Sequence, residues 1–227
     1  MPHASKQLPR RLIAVSLLLF LILLLTLAWP GPGAPAPLRA DMRRLTLNGE
    51  PVPDRVHLDM PHYRQTDPAW ASYELRPGRT IGDIGCALTS LSMLAHVYGI
   101  QQNPAEVAAS LGSWAAPLEW EVFTTLHNLR IVREDNLLDI DARVADRDWV
   151  RDSAVRALAQ GRPVIVGIQH REHLTTHFIV ACGYRYENGA YIVETYDTST
   201  NNDYPSLDAI DPAWEYIRFL EISRGPS

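Results

Sequence analysis

Residues 80–99 read TIGDIGCALTSLSMLAHVYG and predict a helix over 85–99. The apolar side chains recur at steps of three and four residues, so they share one helical face: Ala87, Leu88, Leu91, Leu94, Ala95 and Tyr98. Gly99 can adopt the left-handed conformation that ends a helix. This segment therefore supplies one face for a core and carries a cysteine, Cys86, in its first turn.

Cys86 is a candidate nucleophile because of its place at the helix N-terminus. The first backbone amides of a helix have no helical partner, and the helix dipole is positive there. Both favour a thiolate over a thiol. Taken alone, however, a single cysteine is more often a small buried hydrophobe.

The rest of the chain changes from helical to strand-like periodicity. Three further helices are predicted, over 103–112, 120–129 and 148–160. Short apolar runs typical of strands follow, over 162–169, 176–184, 190–195 and 215–222, with a hairpin turn at 187–189. Helices followed by an antiparallel sheet indicate an α+β fold.

Three polar residues could join Cys86 in one site. His177 opens the second strand, and Asp197 follows the strand paired with it, so a hairpin would bring an acceptor to the imidazole. Cysteine, histidine and carboxylate in this chain order are the arrangement of thiol hydrolases. Gln65 could donate its amide to an oxyanion together with the Cys86 backbone N–H. A core histidine, a turn aspartate and a surface glutamine are the alternatives.

Two motifs carry a family resemblance. One is Gln65-Thr-Asp-Pro-Ala-Trp70, and the other is Gly85-Cys-Ala-Leu-Thr-Ser-Leu-Ser-Met93. With the strand His177-Phe-Ile-Val180 and with Asp197, they resemble the peptidase C39-like family of papain-fold cysteine peptidases over most of residues 55–200.

The resemblance implies a papain-like α+β fold, with N-terminal helices packed on a C-terminal antiparallel sheet. It implies Cys86 as nucleophile, His177 as base and Asp197 as orienting acid, with Gln65 as a looser match for the oxyanion donor. Thr198 follows Asp197 where the family commonly has proline, so Asn201 and Asp203 remain alternative orienting residues. The chain has no transporter module, so a double-glycine leader is not implied as substrate.

The N-terminus predicts a membrane segment. Residues 12–29 contain no charge, and Lys6, Arg10 and Arg11 precede them, which would keep the N-terminus in the cytoplasm and the body outside it. We expect residues 1–29 to be a signal anchor, or a signal peptide whose cleavage would give a secreted protein. Residues 30–44 form a linker rich in Pro, Gly and Ala, and the peptidase-like domain covers 45–223.

The charge argues against nucleic-acid binding. The whole chain has a formal net charge of −5, and residues 30–227 hold 18 basic and 26 acidic side chains, a net charge of −8. An acidic domain without a basic stripe lacks the attraction to phosphate that such binding needs.

Two other interpretations of the histidines and cysteines compete with the thiol site: a zinc site and a disulfide. His170, His173 and His177 could hold zinc if they shared a helix face, but strand-like flanks would scatter them. A Cys86–Cys182 disulfide is also conceivable outside the cytoplasm. Strand parity argues against it, because His177 and Cys182 are five residues apart and face opposite sides of a strand.

A binding module on the same fold is the main functional alternative. Trp114, Trp120 and Phe123 could line a groove for peptide or glycan, although core packing is the usual role of such residues. We expect a membrane-tethered extracytoplasmic thiol hydrolase that needs no cofactor and acts on a peptide or protein substrate.

Overall fold

The computed structural model describes residues 44–137, 146–200 and 203–226. The predicted signal segment 1–29, nearly all of the predicted linker and Asn201 lie outside these ranges. Within the described residues, none of the helices has the length and apolar character needed to cross a bilayer.

A six-stranded antiparallel sheet is the centre of the fold. Its strands are β3 (Arg55–His57), β6 (Leu129–Asn136), β7 (Val164–His170), β8 (Thr176–Glu187), β9 (Ala190–Asp197) and β10 (Trp214–Arg224). They follow the order β3-β8-β7-β10-β6, and β9 pairs with β8. Two short hairpins stand apart from the sheet, formed by β1 (Thr46–Leu47) with β2 (Glu50–Pro51) and by β4 (Glu74–Arg76) with β5 (Arg79–Thr80).

Each of the four predicted helices forms, with ends at most three residues from the predicted ones. They are α2 (Cys86–His96), α3 (Pro104–Leu111), α4 (Trp120–Leu126) and α5 (Arg147–Leu158), and a single-turn helix that was not predicted, α1 (Ile81–Ile84), precedes them. At the start of α3 the Asn103 side chain accepts from the N–H groups of Ala105 (2.9 Å) and Glu106 (3.0 Å). The Glu106 carboxylate accepts from the Asn103 N–H at 2.8 Å, which completes a capping box.

Helices cover both faces of the sheet. On one face, α2, α3 and α4 pack over a core that includes Leu88, Leu91 and Ile165. On the other face, α5 packs over a second core that includes Val164 and Val166. Successive residues of β7 thus point to opposite layers, which is why its sequence is apolar without alternation.

The expected order of helices first and sheet second is right in part. The structure mixes helices with an antiparallel sheet, but α5 covers the face opposite α2, and two strands that precede α5 in the chain, β3 and β6, join the sheet. The strand β6 was not predicted because its sequence, LRIVREDN, has adjacent apolar and adjacent charged residues in place of a regular alternation. Only its burial alternates, as expected for a strand at the edge of the sheet.

Candidate active site

Cys86 is the first residue of α2, and the chain reaches it through a turn at Gly85. The Gly85 N–H donates to the Ile81 carbonyl oxygen at 2.8 Å. A Cβ at Gly85 would lie 2.5 Å from that oxygen and 2.6 Å from Ile81 Cγ2, so a side chain does not fit between α1 and α2. Glycine therefore allows the sharp turn that places the partly exposed Cys86 at the positive end of α2.

His177 lies near the start of β8 and is 8% exposed. Its Nε2 donates to Asp197 Oδ1 at a distance of 2.6 Å. The ring also forms a hydrogen bond with Cys86. Because Nε2 is engaged with Asp197, Nδ1 is the ring nitrogen that faces Cys86. Burial lowers the pKa of His177, but hydrogen bonds and charges of Asp197 and Cys86 outweigh it and raise the pKa to about 9. The contacts with Asp197 and Cys86 thus favour the protonated form of the ring.

Asp197 ends β9 and is fully buried. The strand register sets Asp197 opposite Ile179, two residues along β8 from His177, so the acid and the imidazole are diagonal neighbours on one face. The carboxylate also accepts from the N–H groups of Ser199 (2.7 Å) and Tyr204 (3.3 Å). These bonds hold the carboxylate in one orientation against the ring.

The alternative orienting residue Asp203 occupies a different environment. Its side chain is 62% exposed and pairs with Arg64 at 3.0 Å. The other alternative, Asn201, lies outside the described residues. Asp197 is thus the acid that the structure places on the imidazole.

Gln65 lines the same cleft as Cys86. Its Nε2 donates to the Gly82 carbonyl oxygen at 2.9 Å, and its backbone N–H donates to the Thr198 carbonyl oxygen at 2.9 Å. A side-chain amide has two N–H groups, so one remains beyond the bond to Gly82. Gln65 thus lies in one cleft with Cys86, and its role as oxyanion donor stays a prediction.

Thr198 is a site residue to which the sequence analysis gave no role. It is fully buried, and its Oγ1 donates to the Phe178 carbonyl oxygen at 3.3 Å and lies 3.5 Å from Gln65 Oε1. Thr198 thus joins the end of β9 to the segment that carries Gln65. A hydroxyl directly after the predicted acid was the available signal, because a threonine can donate to nearby backbone.

Cys86 and His177 line one cleft of about 500 Å³. Trp214, whose ring centroid lies 6.5 Å from that of His177, and the exposed Leu174 line it as well. A smaller groove of about 260 Å³ shares Ile84 with the cleft. Its lining is apolar except for one arginine and runs along the first turn of α2: Arg76, Ile84, Ala87, Leu88, Ala115, Ala116, Pro117 and Leu118.

The three residues of the zinc alternative do not converge. His170 and His173 stack on each other with ring centroids 4.6 Å apart, whereas His177 faces Asp197. In the described ranges, no group of three histidine, cysteine, aspartate or glutamate side chains is arranged to hold a metal ion.

The aromatic residues of the binding-module alternative separate into two environments. Trp120 and Phe123 are buried in the core beneath α2. Trp114 is 53% exposed and precedes Ala115, which lines the smaller groove.

The two cysteines are both free thiols. Cys182 is 1% exposed, and burial raises the pKa of its thiol to about 12, so it stays protonated. The prediction that strand parity keeps the two sulfurs apart is wrong, because Cys182 lies on the face of β8 that α2 covers. Distance along the strand separates them instead, since Cys182 is five residues, or about 16 Å, from His177.

One comparison with known proteins gives a match. The model of the peptidase C39 like family matches residues 57–222. Neither a curated protein nor a solved structure matches the chain. The matched range begins in β3 and ends in β10, so it includes every residue of the cleft named above.

Proposed function

The chain belongs to the peptidase C39 like family, and we propose that it hydrolyses a peptide or related amide bond through an acyl-enzyme on Cys86. The observation that carries the proposal is the chain of contacts from Asp197 through the His177 ring to Cys86, with both His177 and Cys86 in the lining of one cleft. The helices and sheet around this cleft are compatible with a papain-like packing, which is part of the proposal.

In the acylation step, the Cys86 thiolate acts as nucleophile and the His177 imidazolium acts as acid. The Cys86 sulfur, as thiolate, bonds to the carbonyl carbon, and the C=O electron pair moves to the oxygen. The Cys86 N–H and the free Gln65 N–H donate to this oxyanion. As the C–N bond breaks, the His177 imidazolium gives its Nδ1 proton to the departing amine, which leaves a thioester on Cys86.

Deacylation reverses the roles of the same groups. Neutral His177 takes a proton from water while the water oxygen bonds to the thioester carbon. The C–S bond then breaks, the acid product leaves, and the thiolate of Cys86 is restored beside an imidazolium. Asp197 keeps the ring oriented and stabilises its charge throughout, so no cofactor enters either step.

The location is a second part of the proposal and rests on residues 1–29 alone. Their uncharged run and basic flank support a membrane tether with the domain outside the cytoplasm. Membrane fractionation, followed by protease treatment of intact cells, tests this part. A full-length chain protected from the protease would contradict it.

A peptide-library cleavage screen on the full chain tests the chemistry. We expect turnover by the wild type, no turnover by Cys86→Ala, and activity that survives a chelator. Iodoacetamide should label the wild type rapidly under mild conditions and Cys86→Ala slowly, while the matched variant Cys182→Ala keeps the fast reaction because Cys182 is buried. Equal labelling of wild type and Cys86→Ala would refute the proposal. Peptide binding without turnover would instead support the alternative, a non-catalytic binding module.

A further inference from the structure

Two side chains from residues 62–64 donate to the backbone oxygen of Asp197. His62 Nε2 lies 2.7 Å from this oxygen, and Arg64 Nη1 lies 2.9 Å from it. Arg64 Nη1 also donates to the Ser199 carbonyl oxygen, and Nη2 donates to Asp203 Oδ1 at 3.0 Å. One guanidinium therefore contacts the loop after β9 at three points.

The next residue of this segment joins the same loop. The Gln65 N–H donates to the Thr198 carbonyl oxygen at 2.9 Å. The carbonyl groups of residues 197–199 thus face the 62–65 segment, while the Asp197 carboxylate faces His177. Because Arg64 and Gln65 are consecutive, the acid and the predicted oxyanion donor are held by one piece of chain.

We propose that Arg64 is a positioning residue of this site, which clamps the 197–199 backbone so that the Asp197 carboxylate stays on His177. The inference rests on the proposed function. Arg64 touches none of the reacting atoms and acts through Asp197. A planar guanidinium suits this role, because its fixed fork of donors reaches two carbonyl oxygens at once, whereas a lysine ammonium is a point charge on a flexible stem.

The bonds to backbone oxygens should matter more than the ion pair. The Arg64 side chain is 26% exposed and that of Asp203 is 62% exposed, and surface ion pairs of this kind contribute little. The carbonyl oxygens belong to the loop that directly holds the buried carboxylate. Asp203→Asn is therefore a matched control that removes the ion pair and leaves the backbone contacts in place.

The rate of Cys86 alkylation by iodoacetamide across pH tests the clamp without a known substrate. In the full chain, we expect Arg64→Ala to react about tenfold more slowly at pH 7, with the midpoint of the profile about one pH unit higher. The physical reason is that a displaced Asp197 stabilises the imidazolium less. Arg64→Lys should fall between the two, and millimolar guanidinium should restore part of the rate to Arg64→Ala. Asp203→Asn and the exposed Arg156→Ala should match wild type.

Two outcomes would overturn the inference. One is a folded Arg64→Ala variant with the wild-type pH profile of alkylation. The other is an Arg64→Lys variant with that same profile, which would mean that a positive charge suffices and that the guanidinium fork is not needed. If Arg64→Ala fails to fold, the lysine variant decides alone. Failure of the proposed function looks different, because wild type would then react no faster than Cys86→Ala.

Discussion

Replacing Asp197 with asparagine should lower the pKa of His177 far below its value of about 9. Burial is the largest single effect on this ring and favours the neutral form, and Asp197 is the main group that opposes it. The shift from 6.5 to about 9 corresponds to about 3 kcal/mol of interaction with the charged ring. At pH 7.5 a group with the raised value is about 97% protonated, against about 9% for an ordinary histidine.

Proton NMR of the histidine rings between pH 5 and 10 measures this change, with His177→Gln identifying the resonance. The exposed His173→Gln serves as a control that should leave the His177 titration where it is. A wild-type His177 that titrates near 6.5, or a titration that does not move in Asp197→Asn, would refute the electrostatic account of the site.

The same shift makes folding stability depend on pH. A folded-state pKa above the unfolded value means that the folded chain keeps a proton that the unfolded chain loses, so stability is complete below pH 6.5 and falls as pH rises through about 9. The loss is at most about 3 kcal/mol. This loss of stability should be measured by urea unfolding of the Cys86→Ala variant, which has no thiol to titrate at this position. In that variant Asp197 alone opposes the effect of burial on the His177 pKa. Adding Asp197→Asn should flatten the decline, and parallel curves would contradict the assignment.

Three further predictions concern activity and the turn before Cys86. Asp197→Asn should lower kcat by roughly 10²–10⁴-fold, and the exposed Asp203→Asn should stay within about twofold; equal losses in peptide hydrolysis would contradict Asp197 as the orienting acid. Gln65→Ala should lower kcat by roughly 10²–10³-fold with little change in KM, since an oxyanion donor acts in the transition state, and a change in KM alone would refute that role. Gly85→Ala should destabilise the fold by about 1–3 kcal/mol because its Cβ overlaps Ile81, and an unchanged urea midpoint would contradict this packing.

Local patterns in the sequence were sufficient for the four longer helices, but not for the single-turn α1. The apolar spacing of α2 and the Asn103 cap of α3 depend on neighbours within four residues, so both were predictable. The apolar run of β7 likewise indicated a buried strand, and the structure shows that both of its faces are covered. The strand β3 has three residues, too few for a periodic pattern, and β6 contains several charged residues and no regular alternation. The full sheet was therefore not predictable.

The site divides in the same way between local and distant contacts. Residues His177 and Asp197 belong to one hairpin, so their proximity follows from the order of strand, turn and strand. The contact of Arg64 with Asp197 joins residues 133 positions apart. It depends on how the whole chain folds back, and no local pattern reports it. The predicted membrane segment stays a prediction.

Thr198 shows how such distant contacts can replace a local constraint. Proline, which commonly follows the acid in the family, fixes its own φ and needs no partner to do so. Threonine is free to rotate, and here hydrogen bonds from Thr198 to Phe178 and from Gln65 to Thr198 fix it instead. The departure from the family pattern is thus consistent with Asp197 as the acid. Its consequence is that the position of the acid in this chain depends on the 62–65 segment, so substitutions there should act on the pair of Cys86 and His177 from a distance.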